Sequence, residues 1–100
     1  MIDLKELQKK AYQNKVKKGF NIKDINLEFT LTFDELAEAH QAYLKKKDDL
    51  GEELADVLIY LLGLSEILGI DLEKEILQKV KKNKKREYKR IDGTLVKNKD

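Results

Sequence analysis

Two pairs of carboxylates carry the chemistry that this chain offers: Glu35 with Glu38, and Glu53 with Asp56. Residues three apart share a face of a helix. Each pair lies beside an apolar stripe, so its charges repel one another and lose hydration. Two like charges about 4 Å apart cost roughly 4 kcal/mol at an effective dielectric near 20. A divalent cation relieves that repulsion. Four convergent carboxylates make a hard-oxygen site suited to Mg²⁺, with Mn²⁺ as the alternative ion.

The elements that must position these acids read as four helices. The first is predicted from about Asp3 to Lys18, with Leu4, Leu7 and Ala11 at helical spacing and Asn14 and Lys18 continuing the same line. Gly19 stops it. Residues 20–30 read as a loop. The second helix is expected near Thr32, where Thr32-x-x-Glu35 matches a capping box that competes for Glu35. Its core stripe is Phe33, Leu36, Ala37, His40 and Leu44, with His40 read as a core histidine. Glu35, Glu38, Ala39 and Ala42 lie on an adjoining face, where the alanines would let another helix approach closely.

The third helix starts near Asp48 or Asp49 and is apolar almost all round from Leu54 onward, as a central helix is. Glu53 falls on its Leu50–Val57–Leu61 line. An unpaired charge there would cost several kcal/mol. The fourth helix is predicted to begin after Asp71 and run to about Arg90, with Leu72, Ile76 and Val80 as its stripe and Asn83 prolonging it. The expected arrangement is all-α, an antiparallel four-helix bundle-like subunit. Residues 1–90 form its single domain, and residues 91–100 a polar, loose tail with a possible turn at Asp92-Gly93.

Composition narrows the classes. The chain has 100 residues, no Cys and no Pro, so disulfide frameworks and thiolate metal sites are excluded. The apolar run from Leu54 to Ile70 contains Asp56 and Glu66, too short and too charged for a membrane span. The N-terminus lacks the apolar core of a signal peptide, which makes the cytoplasm the expected compartment. Net charge is only +2, but residues 79–90 hold Lys79, Lys81, Lys82, Lys84, Lys85, Arg86, Lys89 and Arg90 against Glu87 alone. An acidic site with a basic neighbour fits a metal-bound polyphosphate, and it also fits nucleic acid.

Asp34-Glu35-Leu36-Ala37-Glu38, a fourteen-residue gap, then Glu53-Leu54-Ala55-Asp56 resembles the EExxE…ExxD signature of MazG-type all-α nucleotide pyrophosphohydrolases. The stretch from Glu52 to Leu64 resembles that family's third helix, and Lys79 to Tyr88 its basic last helix. The likeness covers about residues 10 to 92. One departure is Asp34, where the signature often has Glu.

The resemblance implies Mg²⁺-dependent cleavage of nucleoside triphosphates between the α- and β-phosphates, giving a monophosphate and pyrophosphate. It implies metal ligation by Glu35, Glu38, Glu53 and Asp56. It also implies phosphate contacts from Asn83 and nearby Lys or Arg, taken here as Lys79, Lys82 and Arg86, and a substrate pocket lined by Asn14 and Lys18. A homodimer or homotetramer with the pocket near the subunit interface is expected. One carboxylate must accept a proton from the attacking water, and Glu38 and Glu53 are the two candidates.

Two other functions compete. Phosphoribosyl-ATP pyrophosphohydrolase shares the paired acids, although the Lys-rich last helix and Tyr60-Leu61-Leu62-Gly63 fit the MazG type better. A non-enzymatic helical module would use residues 81–90 to bind nucleic acid or protein. It predicts salt-sensitive binding with no dependence on the carboxylates. Nucleic acid is the less favoured partner.

Overall fold

The computed structural model describes residues 1–97 of the chain. Four helices are followed by a two-stranded hairpin: α1 (Leu4–Lys18), α2 (Ile25–Leu44), α3 (Leu50–Ile67), α4 (Leu72–Lys85), β1 (Tyr88–Ile91) and β2 (Thr94–Lys97). The fold is mostly helical, as expected.

Local capping sets the helix starts. The carboxylates of Asp3, Asp24 and Asp71 each accept a hydrogen bond from the backbone N–H three residues on, at Glu6, Leu27 and Lys74. The Asp24 cap moves the start of α2 well before Thr32. Asn21 prepares it, since its side-chain oxygen accepts from the backbone N–H of Asp24 at 3.1 Å. The segment read as a loop over residues 20–30 is therefore helical from Ile25 onward. Thr32 lies inside the helix and donates its hydroxyl to the Glu28 carbonyl at 2.8 Å, so the capping box does not form and Glu35 is released for other use.

The core is small. Ala39, Ala42, Leu62 and Leu64 are its buried apolar residues, and α3 packs against both α2 and α1. Ala39 and Ala42 are 2% and 3% exposed, which is the close approach that two alanines permit. The inner line of α2 is Glu28, Thr32, Glu35, Ala39 and Ala42. The expected core stripe of Phe33, Leu36, Ala37, His40 and Leu44 is instead exposed. Small residues let the two backbones close up, and the larger side chains are left on the outer face.

In α1 the buried line also differs from the expected one. It runs through Leu4, Gln8, Ala11 and Lys15, while Leu7, Asn14 and Lys18 are exposed. Gln8 is buried because all of its polar atoms find partners. Its amide nitrogen donates to the Ile70 carbonyl at 2.7 Å and to Glu66 at 3.0 Å, and its oxygen accepts from the backbone N–H of Leu72. This ties α1 to the turn between α3 and α4.

The fourth helix packs mainly on α1, so the four helices do not share one central core. It stops at Lys85, short of the expected Arg90, because Arg86 is extended. The chain then forms an antiparallel hairpin with Ile91 opposite Thr94. Its two-residue loop is Asp92-Gly93, with φ of 49° and 80°, as a tight hairpin turn of this kind requires. The turn is legible in the sequence, whereas β1 occupies residues expected to end the fourth helix and β2 residues expected to be a loose tail.

Candidate metal centre

Glu35 and Glu38 lie one turn apart on α2, and Glu53 sits in the first turn of the facing helix α3. Close α2–α3 packing brings one carboxylate oxygen from each of the three within 4.8 Å of the others. Glu35 and Glu53 are half-buried and Glu38 is exposed. The Oε2 atom of Glu53 is buried with no hydrogen-bond partner. A buried acceptor without a partner needs an explanation, and a hard cation supplies one.

The electrostatics agree. Loss of hydration raises the pKa of Glu35 above the ordinary carboxylate value, and the neighbouring charges of Glu38 and Asp56 push it the same way. Glu53 is raised by loss of hydration first, then by Asp49 and Glu38, with Lys47 opposing. The site thus disfavours its own ionised state until positive charge arrives. All three donors are hard oxygens, the chemistry of Mg²⁺ or Mn²⁺ ligation.

Asp56, the fourth acid of the motif, lies one turn beyond Glu53 on α3. It is exposed and stands beside the three-carboxylate cluster rather than within it, although its charge acts on Glu35 and Glu53. Asp56 lines a cavity of about 230 Å³ with Asn14, Lys15, Phe20, Ile59 and Tyr60. A second cavity, of about 440 Å³, opens beside Glu38 and Glu53 and is also lined by Gln41 and Lys47.

The remaining sequence candidates separate. Asn14 faces the Asp56 cavity, whereas Lys18 lines neither cavity. Lys79, Lys82, Asn83 and Arg86 belong to α4 or its end and line neither cavity of their own chain. Arg86 donates to the Asn83 side-chain oxygen at 3.1 Å, and its Nε is buried without a partner.

Sequence reasoning missed one pair. Lys15 and Glu28, 6% and 1% exposed, form a buried ion pair at 2.5 Å, and Asn21 also donates to Glu28 at 3.1 Å. The Lys15 ammonium lies 4.6 Å from the centre of the Tyr60 ring. Burial raises the Tyr60 pKa, and Glu35, Glu28 and Asp56 raise it further. The available signal was spacing: Leu4, Gln8, Ala11 and Lys15 form a line as regular as the one through Leu7.

A model of the MazG-like family matches residues 22–99, well over half of the chain. The chain belongs to the MazG-like family. The match takes in the acidic helices, α4 and the hairpin, and α1 lies outside it. Comparison with curated proteins and with solved structures returned no match. Membership in the MazG-like family supports nucleotide pyrophosphohydrolase-type chemistry, typically metal-dependent, and the three-carboxylate cluster is the feature of this fold that suits it. No helix among the described residues is long and apolar enough to cross a membrane.

Proposed function

We propose that this MazG-like protein is a Mg²⁺-dependent nucleoside triphosphate pyrophosphohydrolase that cleaves between the α- and β-phosphates and clears the nucleotide pool. The observation that carries this reading is the convergence of Glu35, Glu38 and Glu53, together with the unpartnered Glu53 Oε2. Those three residues would hold the metal, with Asp56 completing the set from the adjoining turn. Bound there, the ion supplies charge neutralisation on the phosphate oxygens and makes water a better nucleophile.

The protein groups do the rest. The oxygen of a water molecule forms a bond to a phosphorus of the anhydride. The bridging P–O bond breaks, and its oxygen departs with the electron pair. Glu38 or Glu53 accepts the proton that the water gives up. Glu38 is the more accessible of the two, and Glu53 the more desolvated. The cavity beside Asp56 supports a nucleoside as the other part of the substrate. Phe20, Ile59 and Tyr60 offer apolar and aromatic surface, and Asn14 offers an amide able both to donate and to accept.

A homodimer or homotetramer is part of the same reading. Large apolar side chains stand open to solvent on all four helices, among them Phe33 at 68% on α2, Leu54 and Leu58 on α3, and Leu77 at 62% on α4. Patches of this kind are covered by association. A second subunit could also bring Lys79, Lys82, Asn83 and Arg86 to the phosphates, a task that α4 does not perform for its own chain's cavities.

The test is a pyrophosphate-release screen over ribo- and deoxyribonucleoside triphosphates, with and without Mg²⁺. The reading expects metal-dependent release from at least one of them. Release from none, in a folded protein with Mg²⁺ or Mn²⁺ present, overturns it.

A further inference from the structure

The cavity beside Glu38 and Glu53 has a chemical character different from the one beside Asp56. Its remaining walls are Ala37, Gln41, Ala42 and Lys47, so it pairs two carboxylates with an ammonium and an amide and has no aromatic surface. Gln41 follows Glu38 by three residues and shares its side of α2.

Lys47 is held in place by the way α2 ends. Lys46 adopts a left-handed φ of 54°, and the backbone N–H of Lys47 donates back to the Ala42 carbonyl at 2.9 Å. This is a six-residue closure of the Schellman type, here without glycine. It fixes the root of the Lys47 side chain beside the start of α3 and leaves its four-carbon stem free to reach. Among the described residues neither the Lys47 ammonium nor the Gln41 amide has an ion-pair or hydrogen-bond partner.

We propose that Lys47 and Gln41 form the subsite for the β- and γ-phosphates, so that the substrate lies across the carboxylates with a fixed polarity. This rests on the pyrophosphohydrolase reading. A polyphosphate tail carries several negative charges and only acceptor oxygens. It needs donors and positive charge beyond what a metal ion supplies, and it gains nothing from an aromatic wall. The cavity with Lys47 and Gln41 meets that need. The cavity with Phe20 and Tyr60 does not, because its one ammonium, Lys15, is already paired with Glu28. Lys47 thus has a role beyond softening the repulsion around Glu53: it is a binding residue for one end of the substrate.

The test uses the full chain at saturating Mg²⁺ and compares inhibition by the two products. The probes are inorganic pyrophosphate and the monophosphate of the triphosphate that the parent hydrolyses fastest. Lys47→Gln should raise the inhibition constant for pyrophosphate about tenfold, the scale of one charge-assisted hydrogen bond. The constant for the monophosphate should move less than twofold. Lys47→Arg should restore most of the pyrophosphate affinity, and Gln41→Ala should weaken pyrophosphate alone, by a smaller factor.

Lys47 is exposed, so the helical content and melting of Lys47→Gln should match the parent. Should that variant unfold, Gln41→Ala carries the comparison. Unchanged pyrophosphate inhibition, or equal weakening of both products, overturns the subsite while leaving the enzyme reading intact. A parent that releases no pyrophosphate from any triphosphate overturns both.

Discussion

Lys15 on α1 and Glu28 on α2 meet at 2.5 Å inside the protein, and both are buried. They join the one helix outside the family match to the helix that carries Glu35 and Glu38. Removing one partner strands the other as a buried charge, which costs roughly 3–5 kcal/mol. Lys15→Met should therefore lower the stability in urea by about that amount. The Lys15→Met/Glu28→Met double variant should recover most of the loss, with the Asn21 amide left one partner short. Equal destabilisation by the single and double variants would show that the charges are not the issue.

Gly63 is the floor on which the Lys15 stem lies. A Cβ at Gly63 would stand 2.7 Å from Lys15 Cε and 3.3 Å from Cδ. A lysine tip is normally free to swing aside, but this one is fixed between Glu28 and Tyr60. Gly63→Ala should thus destabilise by about 1–3 kcal/mol, an overpacking cost, although alanine is the better helix former. Combined with Lys15→Ala, the same substitution should cost much less. Chemical denaturation of the three variants checks this, and a neutral or stabilising Gly63→Ala in the parent would contradict it.

The carboxylate cluster should reveal itself in a melt without any substrate. The folded-state pKa values of Glu35 and Glu53 are raised above 4.5, chiefly by lost hydration. Groups shifted in this direction contribute stability below the unfolded-state value and lose that contribution as pH rises through the folded-state value. The metal-free parent should therefore fall behind a Glu35→Gln/Glu53→Gln double variant as pH rises from below the ordinary carboxylate value toward neutrality, the direction set by those shifts. Mg²⁺ at a hundred times its dissociation constant should stabilise the parent by about 2.7 kcal/mol and leave the double variant nearly unmoved. A metal-free melt in which the double variant loses several degrees at neutral pH would count against a functional cluster.

How far the sequence announced these features depended on the physical cause of each. The helix starts at Asp3 and Asp71 and the stop at Gly19 are local, and they were legible. The start of α2 was obscured because Thr32 and Glu35 imitate a capping box, while the working cap, Asp24 supported by Asn21, sits among scattered apolar residues. Which face of α2 turns inward was decided by tertiary packing: the alanine side fits closely against α3, and the greasier Phe33 side stays outside. The motif pointed to Glu35, Glu38 and Glu53 correctly as neighbours. It did not show that Asp56 stands apart or that Lys15 and Glu28 lie buried next to Tyr60.

Association should depend on the open apolar faces. Phe33→Glu and Leu58→Glu each place a charge on surface that is exposed in the single chain, so neither should unfold it. Each should shift the protein toward monomer in sedimentation at micromolar concentration, with activity falling in parallel if α4 serves a neighbouring subunit. A parent that sediments as a monomer would remove the oligomer from the proposal.

The central claim is that Glu53, with Glu35 and Glu38, holds the metal that drives triphosphate cleavage. Its most direct test is the initial rate of pyrophosphate release by the parent and by Glu53→Gln, each titrated with Mg²⁺ at saturating nucleotide. The account predicts metal-dependent release by the parent and a loss of at least a hundredfold, on the order of 3 kcal/mol of transition-state stabilisation, in the folded variant. Comparable rates from the two proteins, or a parental rate indifferent to metal, would contradict it.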